Sequence, residues 1–265
     1  KIIWNLLACA SIGELKTAVD LVVICTPISL TLRIIKECAE SGVGGAVIIS
    51  AGGKEIGEEG KKLESDITKA ADRSGLRIIG PNCVGILASQ SKLNASFAHQ
   101  LPLPGKMAFI SQSGAICSAM LDLSLKENMG YRYFISIGSM LDVDFGDLID
   151  YLGSDPQVSA ILLYMENLTE IRKFMSAARA VSRVKPIVVL KAGRSEAGAR
   201  AAASHTGALA GRREVWEGVV RQGGAVPVVG WEPWVDAMMG FSLLPAGLGD
   251  RVAIVSGPGG LAVAA

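Results

Sequence analysis

The sequence predicts an α/β protein built on open parallel sheets, and three observations predict it. Short β-branched apolar runs alternate with amphipathic stretches of helix length along nearly the whole chain, which is the pattern of βαβ units whose strands are buried on both faces. The loops that follow those apolar runs are polar or glycine-bearing, as the ligand-facing ends of parallel strands require. Half of the 265 residues are hydrophobic, enough to fill more than one core.

Taken in order, "DLVVICTP" (20–27) reads as a strand, and 29–42 as a helix with Leu30, Ile34, Ile35 and Cys38 on one side. "GGAVIISAGG" (44–53) is the next strand and turn, a charged helix follows over 58–73, and "GLRIIGPNCVGIL" (75–87) is a third strand running into a turn. These units make an incomplete Rossmann-like domain over 1–104. "LPLPGK" (101–106), with two prolines and a glycine, reads as a linker. A second series over 105–246 predicts strands at "KMAFIS", "YFISIG", "AILLYM", "PIVVLKAG" and "AVPVV", with helices at 114–126, 145–153, 169–183, 211–222 and 231–243. Five strands with alternating helices predict a flavodoxin-like doubly wound parallel sheet. "RVAIVSGPGG" then opens a third α/β unit over 247–265.

Composition excludes several classes. With 26 Lys and Arg against 25 Asp and Glu, the net charge of +1 gives no electrostatic case for nucleic acid or an anionic membrane. No apolar run reaches the roughly 18 residues of a membrane span, and the amino terminus reads as interior sequence rather than a signal peptide. Cys9, Cys25, Cys38, Cys83 and Cys117 lack CxxC pairing or regular spacing. They predict neither a zinc site nor a disulfide framework, and fit a reducing cytoplasm.

Chemistry in an open parallel sheet belongs at the carboxyl ends of the strands. "AFISQSGAICSAML" places Ser111, Gln112, Ser113 and Gly114 between a strand and a helix. A helix amino terminus offers unpaired N–H groups to a phosphate, and it equally takes an ordinary serine cap. "AILLYMENLTE" puts Glu166 at a strand end, where a carboxylate either caps or stays solvated, or else holds an imidazole in one tautomer. "KAGRSEAGARAAASHTGALAG" carries His205, one of two histidines, among small residues. An imidazole with its ordinary pKa of about 6.5 is largely neutral at pH 7 and nucleophilic towards phosphorus, or is simply exposed and idle. Cys83 is read as packing, with a thioester role as the alternative.

"GPNCVGI", "ISQSGA", "SIGSMLDVDFGDLIDYLGSDP", "LLYMEN" and the His205 segment, in that order, resemble the NDP-forming acyl-CoA synthetases, relatives of the succinyl-CoA synthetase α-subunit, over about 12–265. The resemblance implies a coenzyme A-binding first domain and a phosphohistidine second domain. It implies that His205 is phosphorylated, that Glu166 orients it, and that Gln112, Ser113 and Gly114 hold the phosphoryl group. Thr26, Pro27, Ser50, Ala51, Gly52, Pro81, Asn82 and Cys83 fall in segments that line the coenzyme site. The implied partners are a small acid, coenzyme A, phosphate and a nucleotide, ADP/ATP or GDP/GTP with Mg2+. The nucleotide is held by an ATP-grasp subunit or fused domain outside this chain, in an oligomer. The sequence departs from the family pattern in lacking the first βα unit with its glycine loop, in Ser139 where relatives often carry Asn, and in "SGPGG". The alternative function is an acyl-CoA-sensing domain of a protein acetyltransferase. A nicotinamide dehydrogenase is disfavoured because no GxGxxG with a following acidic residue is present.

Overall fold

A computed structural model describes residues 2, 3, 6–193 and 213–244, with the isolated positions 253, 255 and 257. After a short antiparallel pair, β1 (Ile2–Ile3) with β2 (Leu6–Leu7), the chain builds two sheets.

The first sheet holds β3 (Leu21–Ile24), β4 (Gly45–Ile48) and β5 (Arg77–Ile79), parallel and in that order. Helices α1 (Thr31–Glu40) and α2 (Glu58–Asp72) make the crossovers and pack on each other. Ile35 and Cys38 of α1 and Ile67 and Ala71 of α2 meet Ile24, Ile48 and Ile78 of the strands in one buried cluster. The period of 3.6 that predicts these helices is therefore the period at which they bury side chains.

Among the described residues the second sheet has seven strands. Five are parallel: β8 (Leu103–Ser111), β9 (Gly130–Ser136), β10 (Ala160–Met165), β11 (Ile187–Lys191) and β12 (Val226–Val228). They lie in the order β12-β11-β10-β8-β9, which is the flavodoxin order. Along β8 the side chains alternate, Ala108 and Ile110 to one face, Met107 and Phe109 to the other. Both faces are covered. The first packs on α4 (Phe145–Ser154), α5 (Ile171–Val181) and α6 (Arg213–Gln222), the second on α3 (Gly114–Lys126) and α7 (Trp231–Leu243). The aromatic centre of the second face is Phe109, stacked on Phe134 at 4.5 Å and touched by Trp234 at 5.6 Å.

One expectation is extended and one corrected. The run 75–87 does give a third strand, β5, running into a turn, but the turn leads on into a further strand. Gly80 and Asn82 adopt positive φ, the chain turns, and β6 (Gly85–Ala88) leaves the first sheet to pair antiparallel with β9 and with β7 (Leu93–Ser96) in the second. The segment 101–106 is not a linker, since from Leu103 onwards it is the first part of the nine-residue β8. Its register on β9 shifts between Pro104 and Met107, so the proline sits at a bulge, the place in a ladder that tolerates a missing N–H. Gly105 is needed there, because a Cβ would stand 2.2 Å from the carbonyl carbon of Gly130. Most of the third unit expected over 247–265 lies outside the described residues.

Candidate functional site

The three parallel strands of the first sheet end at one edge, and the connections stitch their loops together. Thr26 and Pro27 follow β3, Ser50, Ala51 and Gly52 follow β4, and Pro81, Asn82 and Cys83 follow β5. Ser50 Oγ donates to the Thr26 carbonyl, and the Asn82 N–H donates to the Ser50 carbonyl at 2.9 Å. Pro27, Ala51 and Asn82 are exposed at this edge, and Pro81 and Cys83 are buried beneath it. Thr26 Oγ1 is buried without a hydrogen-bond partner among the described residues. An orphaned hydroxyl at the ligand-facing end of a parallel sheet fits a polar ligand that passes close to it. Cys83 is a different case. Its Sγ lies 3.3 Å from the Ile48 carbonyl, and burial pushes its pKa up to about 12. A thiol held protonated in this way packs and donates; it is no nucleophile near neutral pH.

On the second sheet, β8 runs directly into α3. Ser113 caps that helix, its Oγ accepting from the Ile116 N–H at 3.3 Å, while Ser111 Oγ accepts from the Ser113 N–H at 3.1 Å. The serine-cap reading is thus realised, and the N-terminus of α3 with Gly114 still faces a cavity. Gln112 reaches sideways to the end of β10. Its Oε1 accepts from the backbone N–H of Glu166 at 2.6 Å and of Asn167 at 3.0 Å, and its Nε2 donates to Asn167 Oδ1 at 2.8 Å. Two backbone donors on one amide oxygen settle which way the amide points. The buried Gln112 side chain therefore shapes the Glu166 loop, and the helix terminus beside it is left to meet a ligand.

Glu166 and Asn167 line the same cavity as Ser113 and Gly114. Next to Glu166, at the end of β11, burial lowers the Lys191 pKa while the Glu166 carboxylate works to raise it. Burial, and then the Glu166 charge, raises the pKa of Tyr164. Glu166 is thus half-buried among groups that respond to its charge.

This cavity, of about 460 Å³, lies where the two sheets meet. From the first sheet's edge come Asn82 and Cys83, with Lys54 and Glu55 from the loop after β4. From the second come Ser113, Gly114, Gln112 and Glu166. Thr26, Pro27, Ser50, Ala51, Gly52 and Pro81 share the edge but not the described lining of this cavity. His205 lies outside the described residues. Among the described residues no group of three His, Cys, Asp or Glu is placed to hold a metal, and no helix is long and apolar enough to cross a membrane.

Sequence reasoning did not single out Lys54, Glu55, Phe97 or Asn167, which also line the cavity, nor Asp142, which holds its walls. The segment after β9 runs beside the end of β5: Ser139 N–H donates to the Pro81 carbonyl at 2.9 Å, Leu141 to Gly80 at 3.0 Å and Val143 to Ile78 at 3.1 Å. Asp142 accepts from Arg77 Nε at 2.9 Å and from the Ile78 N–H at 2.8 Å. Gly138, at φ +54°, makes the approach feasible, since a Cβ would come within 2.1 Å of the Pro81 carbonyl oxygen. The local signal of this strap is Asp142 within "GSMLDVD".

Comparison with known proteins adds what the geometry alone lacks. A family model described as "Succinyl-CoA ligase like flavodoxin domain" matches residues 104–241, and one described as "CoA binding domain" matches 1–89. The α-subunit of an ADP-forming acetate–CoA ligase II of Pyrococcus furiosus is 42% identical over 250 residues, covering 94% of this chain and 54% of that subunit. An ADP-forming 4-hydroxybutyrate–CoA ligase of Nitrosopumilus maritimus is 34% identical, covering 96% of this chain and 37% of its own length. Among solved structures, a dinucleotide-forming acetyl-coenzyme A synthetase 1 of Candidatus Korarchaeum cryptofilum, in complex with phosphate and ADP, superposes with a TM-score of 0.92 at 36% identity, over 98% of this chain and 56% of that one. The chain spans about half the length of the P. furiosus subunit, and less of the longer ligases.

Proposed function

Because the chain belongs to the NDP-forming acyl-CoA synthetases, with a CoA-binding domain followed by a succinyl-CoA ligase-like flavodoxin domain, we propose that it is the acyl- and phosphoryl-transferring part of an acid–CoA ligase. The ADP-forming version of the reaction is favoured over the GDP-forming one by the names of the relatives. The observation that carries the reading is the inter-sheet cavity, whose lining brings Asn82 and Cys83 from the first sheet's edge together with the α3 N-terminus and Glu166.

In this reading coenzyme A lies along the edge formed by Thr26, Pro27, Ser50, Ala51, Gly52, Pro81, Asn82 and Cys83. An oxygen of phosphate attacks the thioester carbonyl, the C–S bond breaks, coenzyme A leaves, and an acyl phosphate forms. The α3 N-terminus, with the N–H groups around Ser113 and Gly114, lies where the growing anionic charge is met by helix dipole and backbone donors. His205 then attacks phosphorus through one ring nitrogen, the carboxylate leaves, and a phosphohistidine remains. Glu166 accepts from the other ring nitrogen and steadies the imidazolium that develops. Gln112 acts one step back, by fixing the loop that carries Glu166. The phosphoryl group passes to ADP at an ATP-grasp subunit or fused domain beyond this chain, where Mg2+ would supply charge neutralisation. Small acid, phosphate, coenzyme A and nucleotide are thus the proposed partners, in a cytoplasmic oligomer. The relatives compared are ligases and synthetases, so the sensing alternative draws no support.

The test uses the full-length protein with its nucleotide-binding part. Incubation with γ-labelled ATP is expected to give an acid-labile, base-stable phosphoprotein, and His205→Asn is expected to abolish the label. Label that survives in His205→Asn overturns the mechanism. Glu166→Gln is expected to slow labelling by about 10²- to 10⁴-fold, the usual worth of a proton-handling group, while coenzyme binding holds; equal loss of both makes Glu166 merely structural.

A further inference from the structure

The inter-sheet cavity has an uneven charge balance. Two carboxylates line it, Glu55 and Glu166, and the proposed reaction adds a phosphate carrying one to two further negative charges. The α3 terminus offers the equivalent of about half a positive charge. Carboxylates and an anion sharing one site repel one another unless a cation joins them. Among the described lining residues one side chain is a lysine or arginine, and it is Lys54.

Lys54 is held at both ends. Its backbone N–H donates to Glu64 Oε1 at 2.9 Å, which ties the loop after β4 to α2. Its ammonium crosses to the second sheet's strap and donates to the Ser139 carbonyl at 2.9 Å. An ammonium has three N–H donors, and a carbonyl takes one of them. Glu55 beside it is turned back on its own loop, with Oε1 accepting the Gly52 N–H at 2.8 Å. A cation is thereby held in the lining of the cavity from the first sheet's side, and Ser113, Gly114 and Glu166 line the same cavity from the second.

We propose that Lys54 is a phosphate-binding residue of this site: its ammonium holds inorganic phosphate, and then the acyl phosphate, between the coenzyme loops and the α3 N-terminus. This role rests on the transfer reading above and goes beyond it by assigning a cation in the cavity lining, in addition to Lys191 beside Glu166. It also gives the first sheet a part in phosphate chemistry as well as in coenzyme binding.

The experiment measures steady-state turnover of acyl-CoA, phosphate and ADP by the intact enzyme, with KM for each substrate, in wild type, Lys54→Gln, Lys54→Met and Lys54→Arg. Gln keeps a neutral donor for the Ser139 carbonyl and removes the charge. The expected result is a phosphate KM raised about 10- to 100-fold in Gln and Met, the worth of one charge-assisted hydrogen bond. The acyl-CoA KM should stay within about twofold, and Arg should recover most of the phosphate affinity. If Lys54 only tethers the two sheets, Gln behaves as wild type, or both KM values rise together with a lowered Tm; either result overturns the proposal. Wild type is assayed first. Absence of turnover there overturns the transfer reading and this proposal with it, whereas normal wild-type turnover with an unchanged phosphate KM in Lys54→Gln overturns this proposal alone.

Discussion

Gln112 shows how one side chain can hold the loop of a candidate site in place. Its amide oxygen takes the N–H groups of both Glu166 and Asn167, which otherwise end β10 with two unsatisfied donors in a half-buried turn. Gln112→Leu keeps the volume and removes the acceptor. It is expected to lower stability by about 1–3 kcal/mol, the cost of leaving buried donors unpaired, and to slow phosphoenzyme formation through the loosened Glu166 loop. Gln112→Glu keeps an acceptor and should lose less stability than Leu. Thermal unfolding of the two variants side by side checks this, and a Leu variant as stable as wild type would sink the assignment. Cys83 makes the opposite point: it sits in the cavity wall and has the wrong protonation state for chemistry.

At the scale of elements, the end of α4 is tied to its neighbours by Asp155. Arg132 Nε on β9 donates to its carboxylate at 2.6 Å, Tyr133 Oη at 3.1 Å and the Gln157 N–H at 2.9 Å. Burial works to raise the Asp155 pKa, but the hydrogen bonds from Arg132, Gln157 and Tyr133 together hold it below the ordinary carboxylate value. A carboxyl whose folded pKa is depressed stabilises the fold above its unfolded value, near 3.9, and ceases to as pH falls through the folded value. Asp155→Asn is therefore expected to cost about 1–3 kcal/mol at pH 7, with the difference from wild type shrinking below about pH 4. Chemical denaturation at pH 7, 5 and 3 measures it, and a penalty independent of pH would remove the ion pair as its cause. The start of the same helix is secured separately by the capping box of Asp144 and Asp147.

For the whole molecule, the relation between the two sheets is what makes a site at all. The strap from Gly138 to Val143 belongs to the second sheet's chain segment and bonds to the end of β5 in the first, with Asp142 clasping both Arg77 and the Ile78 N–H. Arg77 is half-exposed, so its ion pair contributes little, and most of the clasp is the partly buried hydrogen bond from the Ile78 N–H. Asp142→Ala is expected to cost about 1–3 kcal/mol and to split the calorimetric transition as the first sheet melts ahead of the second. Coenzyme affinity should fall in step, since Asn82 and Cys83 lie at the clasped edge. One transition at the wild-type temperature would show that the strap does not couple the sheets.

Much of this architecture was legible residue by residue. The helix expected over 58–73 forms as Glu58–Asp72, and those at 114–126 and 231–243 form with the expected bounds, because apolar spacing and capping are local properties that each segment carries with it. The loop residues at strand ends were legible too, since a parallel sheet sends every such loop to one edge. What sequence could not decide was which sheet a segment joins and which loops face each other. The run 75–87 splits between two sheets, the proline-bearing segment at 103 becomes part of a central strand, and Lys54 meets Ser139 across 85 positions. Those outcomes depend on contacts between residues far apart in the chain, whose energies are settled only when the packed layers exist. Residue types and periods determined the elements and the kinds of chemistry on offer; tertiary structure alone determined that a lysine, a helix terminus and a glutamate share one cavity.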